Sequence, residues 1–252
     1  MGVPRVLVAP DRLQESHVVI DGQDHAHLAR VLRIREGDCV ILLNGAGGAY
    51  KATVIALSSG KTTLRIEEPA PATPEPSVSV YVAQSLGKGD RFEQVLQHGT
   101  EAGAAAFTPI LADRCNVELP ADRIDSRMVR WRAILKGAVE QCGRSVMPAL
   151  HEPAGLRSWI TPAVATGYPV VMLHEDPAAR PLRAILASLG APRRVHIAVG
   201  PEGGWSPGER EAAIDAGVTL GSLGPRILRT ETAALVAVSQ MLYHFDADSH
   251  PS

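Results

Sequence analysis

Glu67-Glu68-Pro69-Ala70-Pro71-Ala72-Thr73-Pro74-Glu75-Pro76 places four prolines within ten residues. Proline lacks a backbone N–H and has a fixed φ, so this stretch fits neither a central strand nor a helix interior. It favours extended, semi-rigid backbone. The chain is therefore expected to fold as two parts, one over residues 1–70 and one over 78–248, joined by a linker over 71–77. A chain of 252 residues can bury a real core in each.

The two sides of the linker are patterned differently. Upstream, short apolar or alternating runs are separated by turn signals: Arg5–Ala9, His17–Ile20, Cys39–Leu43, Tyr50–Ile55 and Thr62–Ile66, with turns at Asn44-Gly45 and Ser59-Gly60. Many short strands in so few residues predict a small β-barrel, with one short helix near Asp24–Leu32. Downstream, strands and helices alternate. Strands are expected at Ser79–Ala83, Phe107–Leu111, Val170–Leu173 and Val195–Val199, and helices from Asp90, over Asp125–Gln141 and over Thr230–Phe245. Asp90 and Glu93 have the spacing of a capping box. This is the pattern of an α/β domain with a largely parallel sheet.

Composition narrows the function. The apolar fraction of 45% and charged fraction of 21% are those of an ordinary globular protein. Aromatics at 4% argue against a surface that grips single strands by a row of stacked rings. A net charge of −2 argues against a sequence-blind nucleic-acid coat but leaves room for a local basic face on a site-specific enzyme. The three cysteines, Cys39, Cys115 and Cys142, form no C-x-x-C pair, which points to reduced thiols in the cytoplasm. No apolar run approaches a membrane span, and no secretory h-region follows Met1, so no membrane association is expected. His25-x-His27 lacks a matching Cys/His set downstream, and no metal site is expected.

The chemistry should lie beyond the carboxyl ends of the parallel strands. Val195–Val199 runs into Gly200-Pro201-Glu202-Gly203-Gly204, then Trp205-Ser206-Pro207-Gly208-Glu209. Ser206 suits a helix N-cap, Pro207 the first helical position, and Glu209 completes a capping box. The glycine loop is thus pinned between a strand end and a specified helix start. A tight βα turn needs no ligand to explain it. The order of its glycines is neither a dinucleotide fingerprint nor a phosphate loop. A second segment, Leu220-Gly221-Ser222-Leu223-Gly224-Pro225-Arg226-Ile227-Leu228-Arg229, leads into Thr230-Glu231-Thr232-Ala233. Thr230 as a cap and Glu231 as a complement to the helix dipole are a sufficient structural explanation for those two residues. Arg226 and Arg229 oppose the positive end of that dipole, and a function explains them better.

Taken together, Gly200–Gly204 and the run Leu223-Gly224-Pro225-Arg226-Ile227-Leu228-Arg229-Thr230-Glu231-Thr232-Ala233 resemble the signature of the RsmE family. The resemblance extends through Pro4-Arg5, Leu28-Ala-Arg30-Val-Leu-Arg33, Gly37, Lys88, Thr100-Glu101, Asp113-Arg114-Cys115, Glu140–Arg144 and Pro148. It departs at Ala102, where the family usually has Leu, and it is poor from His151 to Pro192 apart from Leu173-His174. Family members are SPOUT-class methyltransferases that methylate N3 of a uridine, U1498 of 16S ribosomal RNA.

The resemblance implies an N-terminal PUA-like β-barrel and a C-terminal α/β trefoil-knot domain. It also implies an S-adenosylmethionine pocket made by three loops: Leu173 and His174; Gly200, Pro201, Glu202, Gly203 and Gly204; and Leu223, Gly224, Ile227 and Leu228 with Thr230. A homodimer would complete the pocket. Arg226 and Arg229 are candidates to stabilise oxygen charge developing on the uracil, and Glu202 or Glu231 to accept the N3 proton or to orient an arginine. Arg5, Arg30, Arg33, Arg114 and Arg144 are candidate contacts to 16S rRNA within the 30S subunit. Rival readings are a SPOUT enzyme acting on transfer RNA or on ribose, and a non-catalytic RNA binder that keeps the fold.

Overall fold

The computed structural model describes residues 2–13, 15–176 and 179–246; the last two residues of the 78–248 range lie outside them. The chain divides into two compact units, 1–75 with 136–147, and 76–135 with 148–252.

The first unit contains β1 (Arg5–Leu7), a 3-10 turn (Pro10–Leu13), β2 (His17–Asp21), α1 (Gly22–Ala26), a π-helical turn (His27–Val31), β3 (Cys39–Leu43), β4 (Ala49–Ser58) and β5 (Lys61–Pro69). They form a five-stranded sheet in the order β1-β3-β4-β5-β2. Alternation explains its core. Val18 and Ile20 of β2, Val40 and Leu42 of β3, Ala52 and Val54 of β4, and Leu64 of β5 point to one side and bury together with Leu28. Ser59-Gly60 turns the β4–β5 hairpin, with Gly60 at φ +91°. Two register shifts between β4 and β5, at Lys51/Ala52 and Val54/Ala56, let this long hairpin curl. The helix expected over Asp24–Leu32 is instead a turn of α-helix continued by a π-helical turn. It ends at Arg33, whose φ of +53° makes it the one non-glycine in the left-handed region among the described residues.

The proline stretch is tied down within this unit. The Thr73 hydroxyl donates to the Gly143 carbonyl at 2.9 Å, and the Arg144 guanidinium pairs with the Glu75 carboxylate through two nitrogens. A lone bridge also joins Thr73 to Arg144.

The second unit contains β6 (Ser79–Ser85), α2 (Arg91–Ala102), β7 (Ala106–Leu111), α3 (Ala121–Cys142, whose end from Lys136 belongs to the first unit), β8 (Ala149–Leu150), β9 (Ala154–Gly155), α4 (Leu156–Ala165), β10 (Val170–Leu173), β11 (Arg180–Pro181), α5 (Leu182–Leu186), β12 (Arg194–Val199), α6 (Pro207–Asp215), β13 (Thr219–Ser222) and α7 (Thr230–Asp246). The sheet is parallel, in the order β11-β13-β10-β12-β6-β7-β8, with β9 paired to β7. Its central strands are continuous apolar runs because both faces are covered. The β10 residues Val170, Val171, Met172 and Leu173 are all buried. On one face α4 and α6 pack through Trp159, Ile160 and Ala213 against Ala83, Met172 and Ala198. On the other, α7 packs against α2, α5, β6 and β12.

Three adjacent strands, β13, β10 and β12, run parallel, so the loops after Ser222, Leu173 and Val199 all leave the same edge. That order is what brings together three segments far apart in sequence.

Local caps follow the residue pattern at α6 and depart from it at α2. Ser206 accepts from the Glu209 amide at 3.1 Å, and the Glu209 side chain accepts from the Ser206 amide at 2.8 Å, a complete capping box. Asp90 is the N-cap of α2 but makes no side-chain cap bond. Glu93 is drawn away to Arg130 at 2.6 Å and Arg127 at 3.9 Å on α3, so the box does not form.

Candidate functional site

The three loops enclose a cavity of about 340 Å³, within the range of small-molecule sites. Leu173, Val199 and Trp205 supply buried apolar wall. Gly200, Gly204 and Gly224 expose bare backbone, Gly204 at φ +66° and Gly224 at +114°.

The glycine loop is held from several sides. The Trp205 indole N–H donates to the Leu173 carbonyl at 3.0 Å, fixing the ring across the β10 and β12 loops. A Cβ on Gly200 would sit 3.1 Å from that ring, so a side chain there would have to push the anchored ring by a few tenths of an ångström. Gly204 N–H closes a turn onto the Pro201 carbonyl at 2.9 Å, and the Arg114 guanidinium donates to the Gly203 carbonyl at 3.0 Å. Below the loop, the Thr230 hydroxyl donates to the Gly200 carbonyl at 2.6 Å and accepts from the Gln84 amide at 2.7 Å. Thr230 is therefore the first residue of α7 with its hydroxyl committed to the cavity floor, and it is not a helix cap.

Charge enters on one wall. Arg91, in the first turn of α2, pairs closely with Glu202, and its Nε lies 3.9 Å from Glu231 Oε2. Gly87 makes this approach possible, since a Cβ there would meet Glu202 Oε1 at 2.9 Å. Glu231 Oε2 is buried with no hydrogen bond, so the ion pair with Arg91 is its compensation. Arg226 and Arg229 are exposed on the opposite loop.

Of the expected pocket residues, Leu173, His174, Gly200, Pro201, Glu202, Gly204, Leu223, Gly224, Ile227, Leu228 and Thr230 line the cavity, as do Arg226 and Arg229. Gly203 does not: its Cβ position faces Arg114. Glu231 does not line it either and stands behind Arg91. Ile227 is 84% exposed and lines the cavity only at its rim.

Sequence reasoning missed Arg91, Glu175, Val199, Trp205, Ser222 and Ala233 as lining residues. Val199, Trp205, Ser222 and Ala233 adjoin the two motif segments in sequence and were within reach of pattern reading. Arg5, Arg30 and Arg33 are exposed residues of the first unit, the Arg5 guanidinium donating to the Gln141 carbonyl at 3.3 Å. Arg114 is exposed and braces the glycine loop. Arg144 is 5% exposed and bound to Glu75, so the structure takes it out of the set of available RNA contacts. Among the described residues no group of three or more His, Cys, Asp or Glu is placed to hold a metal, and no helix is long and apolar enough to cross a membrane.

A parallel α/β unit whose β10, β12 and β13 ends converge on a glycine-lined cavity, preceded by a curled β unit, is the architecture of a SPOUT-type RNA methyltransferase with a PUA-like domain. Residues 73–242 match the family described as RNA methyltransferase domain, and residues 20–67 the RNA methyltransferase PUA domain. Ribosomal RNA small subunit methyltransferase E from Mycobacterium bovis is 36% identical over 87% of this chain and 84% of its own length; that from Bacillus subtilis is 35% identical over 89% of each. The crystal structure of the Neisseria gonorrhoeae methyltransferase E, bound to S-adenosyl methionine, superposes with a TM-score of 0.85 at 29% identity, covering 95% of this chain and 97% of that one. The chain belongs to the ribosomal RNA small subunit methyltransferase E family, RsmE.

Proposed function

We propose that this protein transfers a methyl group from S-adenosylmethionine to N3 of a uridine in small-subunit ribosomal RNA, the position U1498 of 16S rRNA, acting as a cytoplasmic homodimer on the 30S subunit. The observation that carries the reading is the cavity itself: three loops, bare glycine backbone at Gly200, Gly204 and Gly224, and an apolar wall of Leu173, Val199 and Trp205. Such a lining fits a flat heteroaromatic group whose polar edge needs backbone amides and carbonyls at close range. The domain limits that go with this reading are 1–70 for the PUA-like part, 71–77 for the linker and 78–248 for the methyltransferase part.

S-adenosylmethionine supplies an electrophilic methyl group. The protein has to hold the uracil in line, take up the N3 proton and balance charge that develops on the uracil oxygens. Positioning alone is worth about 7–11 kcal/mol in favourable cases. Arg226 and Arg229, on the loop before α7, are assigned to the oxygens. Glu202 lines the cavity and is assigned the proton; Glu231 orients Arg91, which in turn holds Glu202. Arg5, Arg30, Arg33 and Arg114 are assigned to RNA.

The test is to incubate the protein with labelled S-adenosylmethionine and small subunits lacking the modification, then to map the product nucleoside. Label in 3-methyluridine is expected. Label in ribose or in transfer RNA would move the enzyme to another SPOUT specificity, and cofactor binding without transfer to any RNA would make it a binding protein.

A further inference from the structure

Helix α3 carries Arg123, Arg127 and Arg130 at spacings of four and three, which places them on one stripe of the helix. The stripe borders the face that buries Met128, Trp131 and Leu135. The acidic neighbours Asp122 and Asp125 fall about 80° and about 140° around the helix from the nearest arginine of the stripe. The Arg127 and Arg130 side chains are 43% and 63% exposed. One carboxylate, Glu93, meets both, Arg130 at 2.6 Å and Arg127 at 3.9 Å, and its own side chain is only 13% exposed. Two guanidinium groups offer ten N–H donors between them, far more than one carboxylate can accept. Glu93 therefore sets the direction of both arginines and leaves most of their donors outward.

This row is continuous with the site. A small cavity of about 70 Å³ is lined by Gly87, Gly89, Phe92, Arg127 and Trp131 among others, so Arg127 and the Gly87–Gly89 turn face the same space. The other side of that turn touches Glu202 of the larger cavity. Lys88, at the tip, is exposed. Lys88, with exposed Asp90 two residues on, thus stands between the larger cavity and the local concentration of positive charge on α3, in a chain whose net charge is −2. Such local concentration in an otherwise acidic protein is complementary to a polyanion.

We infer that the Arg123–Arg127–Arg130 row is the docking surface for the phosphates of the RNA strand that flanks the methylated nucleotide, an inference that rests on the function proposed above. Glu93 is a positioning residue for that row. Guanidinium forks in fixed orientation suit phosphate oxygens, and such contacts position the strand without reading its sequence.

The experiment uses the full-length protein, small-subunit RNA and three variants: a triple Arg→Gln at 123, 127 and 130, the matching triple Arg→Lys, and Glu93→Gln. Neutralising three phosphate contacts should lower the slope of log affinity against log salt by about two on a single strand. KM for RNA should rise at least tenfold in the Gln variant, with kcat at saturating RNA and S-adenosylmethionine affinity unchanged. The Lys variant should recover most of the salt slope, and Glu93→Gln should raise KM with the slope intact. A folded Gln variant with wild-type slope and KM would overturn the docking surface while leaving the methyltransferase reading in place. Failure of the Lys variant to recover the slope would make the row structural and overturn it equally. Wild-type protein that neither binds nor methylates small-subunit RNA would overturn both.

Discussion

Thr230 and Gly200 are joined by a 2.6 Å hydrogen bond from the threonine hydroxyl to the glycine carbonyl, and the same hydroxyl accepts from Gln84 at 2.7 Å. β6, the loop after β12 and α7 meet at one buried oxygen atom. Thr230→Val keeps the shape but leaves the Gly200 carbonyl and one Gln84 donor without that partner. It should cost about 1–3 kcal/mol in urea unfolding and weaken S-adenosylmethionine binding, whereas Thr230→Ser should retain both. Wild-type stability in the valine variant would show that water replaces the hydroxyl.

Gly200→Ala tests the loop without straining its backbone, because Gly200 does not have positive φ. The added methyl meets the Trp205 ring at 3.1 Å, and the ring is anchored to the Leu173 carbonyl. Displacing it narrows the cavity. Titration calorimetry should show cofactor affinity reduced tenfold or more, about 1.4 kcal/mol. Gly203→Ala should have a much smaller effect, since that position faces Arg114 instead.

Arg91 separates two carboxylates that would otherwise share one wall, Glu202 and Glu231. Arg91→Gln should lower kcat and, by removing charge-assisted hydrogen bonding, reduce stability by about 2 kcal/mol. Arg91→Lys restores a charge but not a fork able to serve both partners. Single-turnover rates for Arg91→Lys are expected between those of wild type and Arg91→Gln. Equal rates for all three would remove Arg91 from the site.

Much of this was readable in advance because periodicity and capping are local. The five strands of the first unit, β6, β7, β10 and β12 of the second, and the α6 capping box at Ser206 and Glu209 stand close to where pattern alone put them, whereas the short strands β8, β9, β11 and β13 carried no such pattern. The resemblance located the cavity loops, but it did not separate Gly200, where a side chain would crowd Trp205, from Gly203, which faces Arg114. Arg91 escaped notice because its partners, Glu202 and Glu231, are contributed from the far end of the chain. Arg144 misled for the same reason: its partner, Glu75, sits in the proline stretch that looked like a free linker. The Asp90 cap failed because Glu93 found stronger partners on α3. In each case a long-range ion pair overrode a local rule.

His196 predicts a pH dependence. It is 5% exposed, packed by Tyr81 at 5.2 Å and Trp159 at 6.2 Å, and its pKa is lowered to about 4, first by burial, then by Arg194 and His151. The unfolded chain takes up this proton near pH 6.5, the folded one only near pH 4. Stability from His196 is therefore full above pH 6.5 and lost as pH falls towards 4, about 3 kcal/mol in all. The difference in unfolding free energy between wild type and His196→Phe, measured from pH 7 to 4, should shrink by that order. A pH-independent difference would mean that His196 titrates normally.

In the second unit, β13 lies between β10 and β11, both of which precede it in the chain. A ribosome making this protein delivers those neighbours first and the strand that fills the gap between them almost last. Until residues 219–222 emerge, β10 has an unpaired edge, and the loop that carries Arg226 and Arg229 does not yet exist. Completion of the sheet and closure of the cavity by the loop that follows it therefore both wait on the last part of the chain to be made.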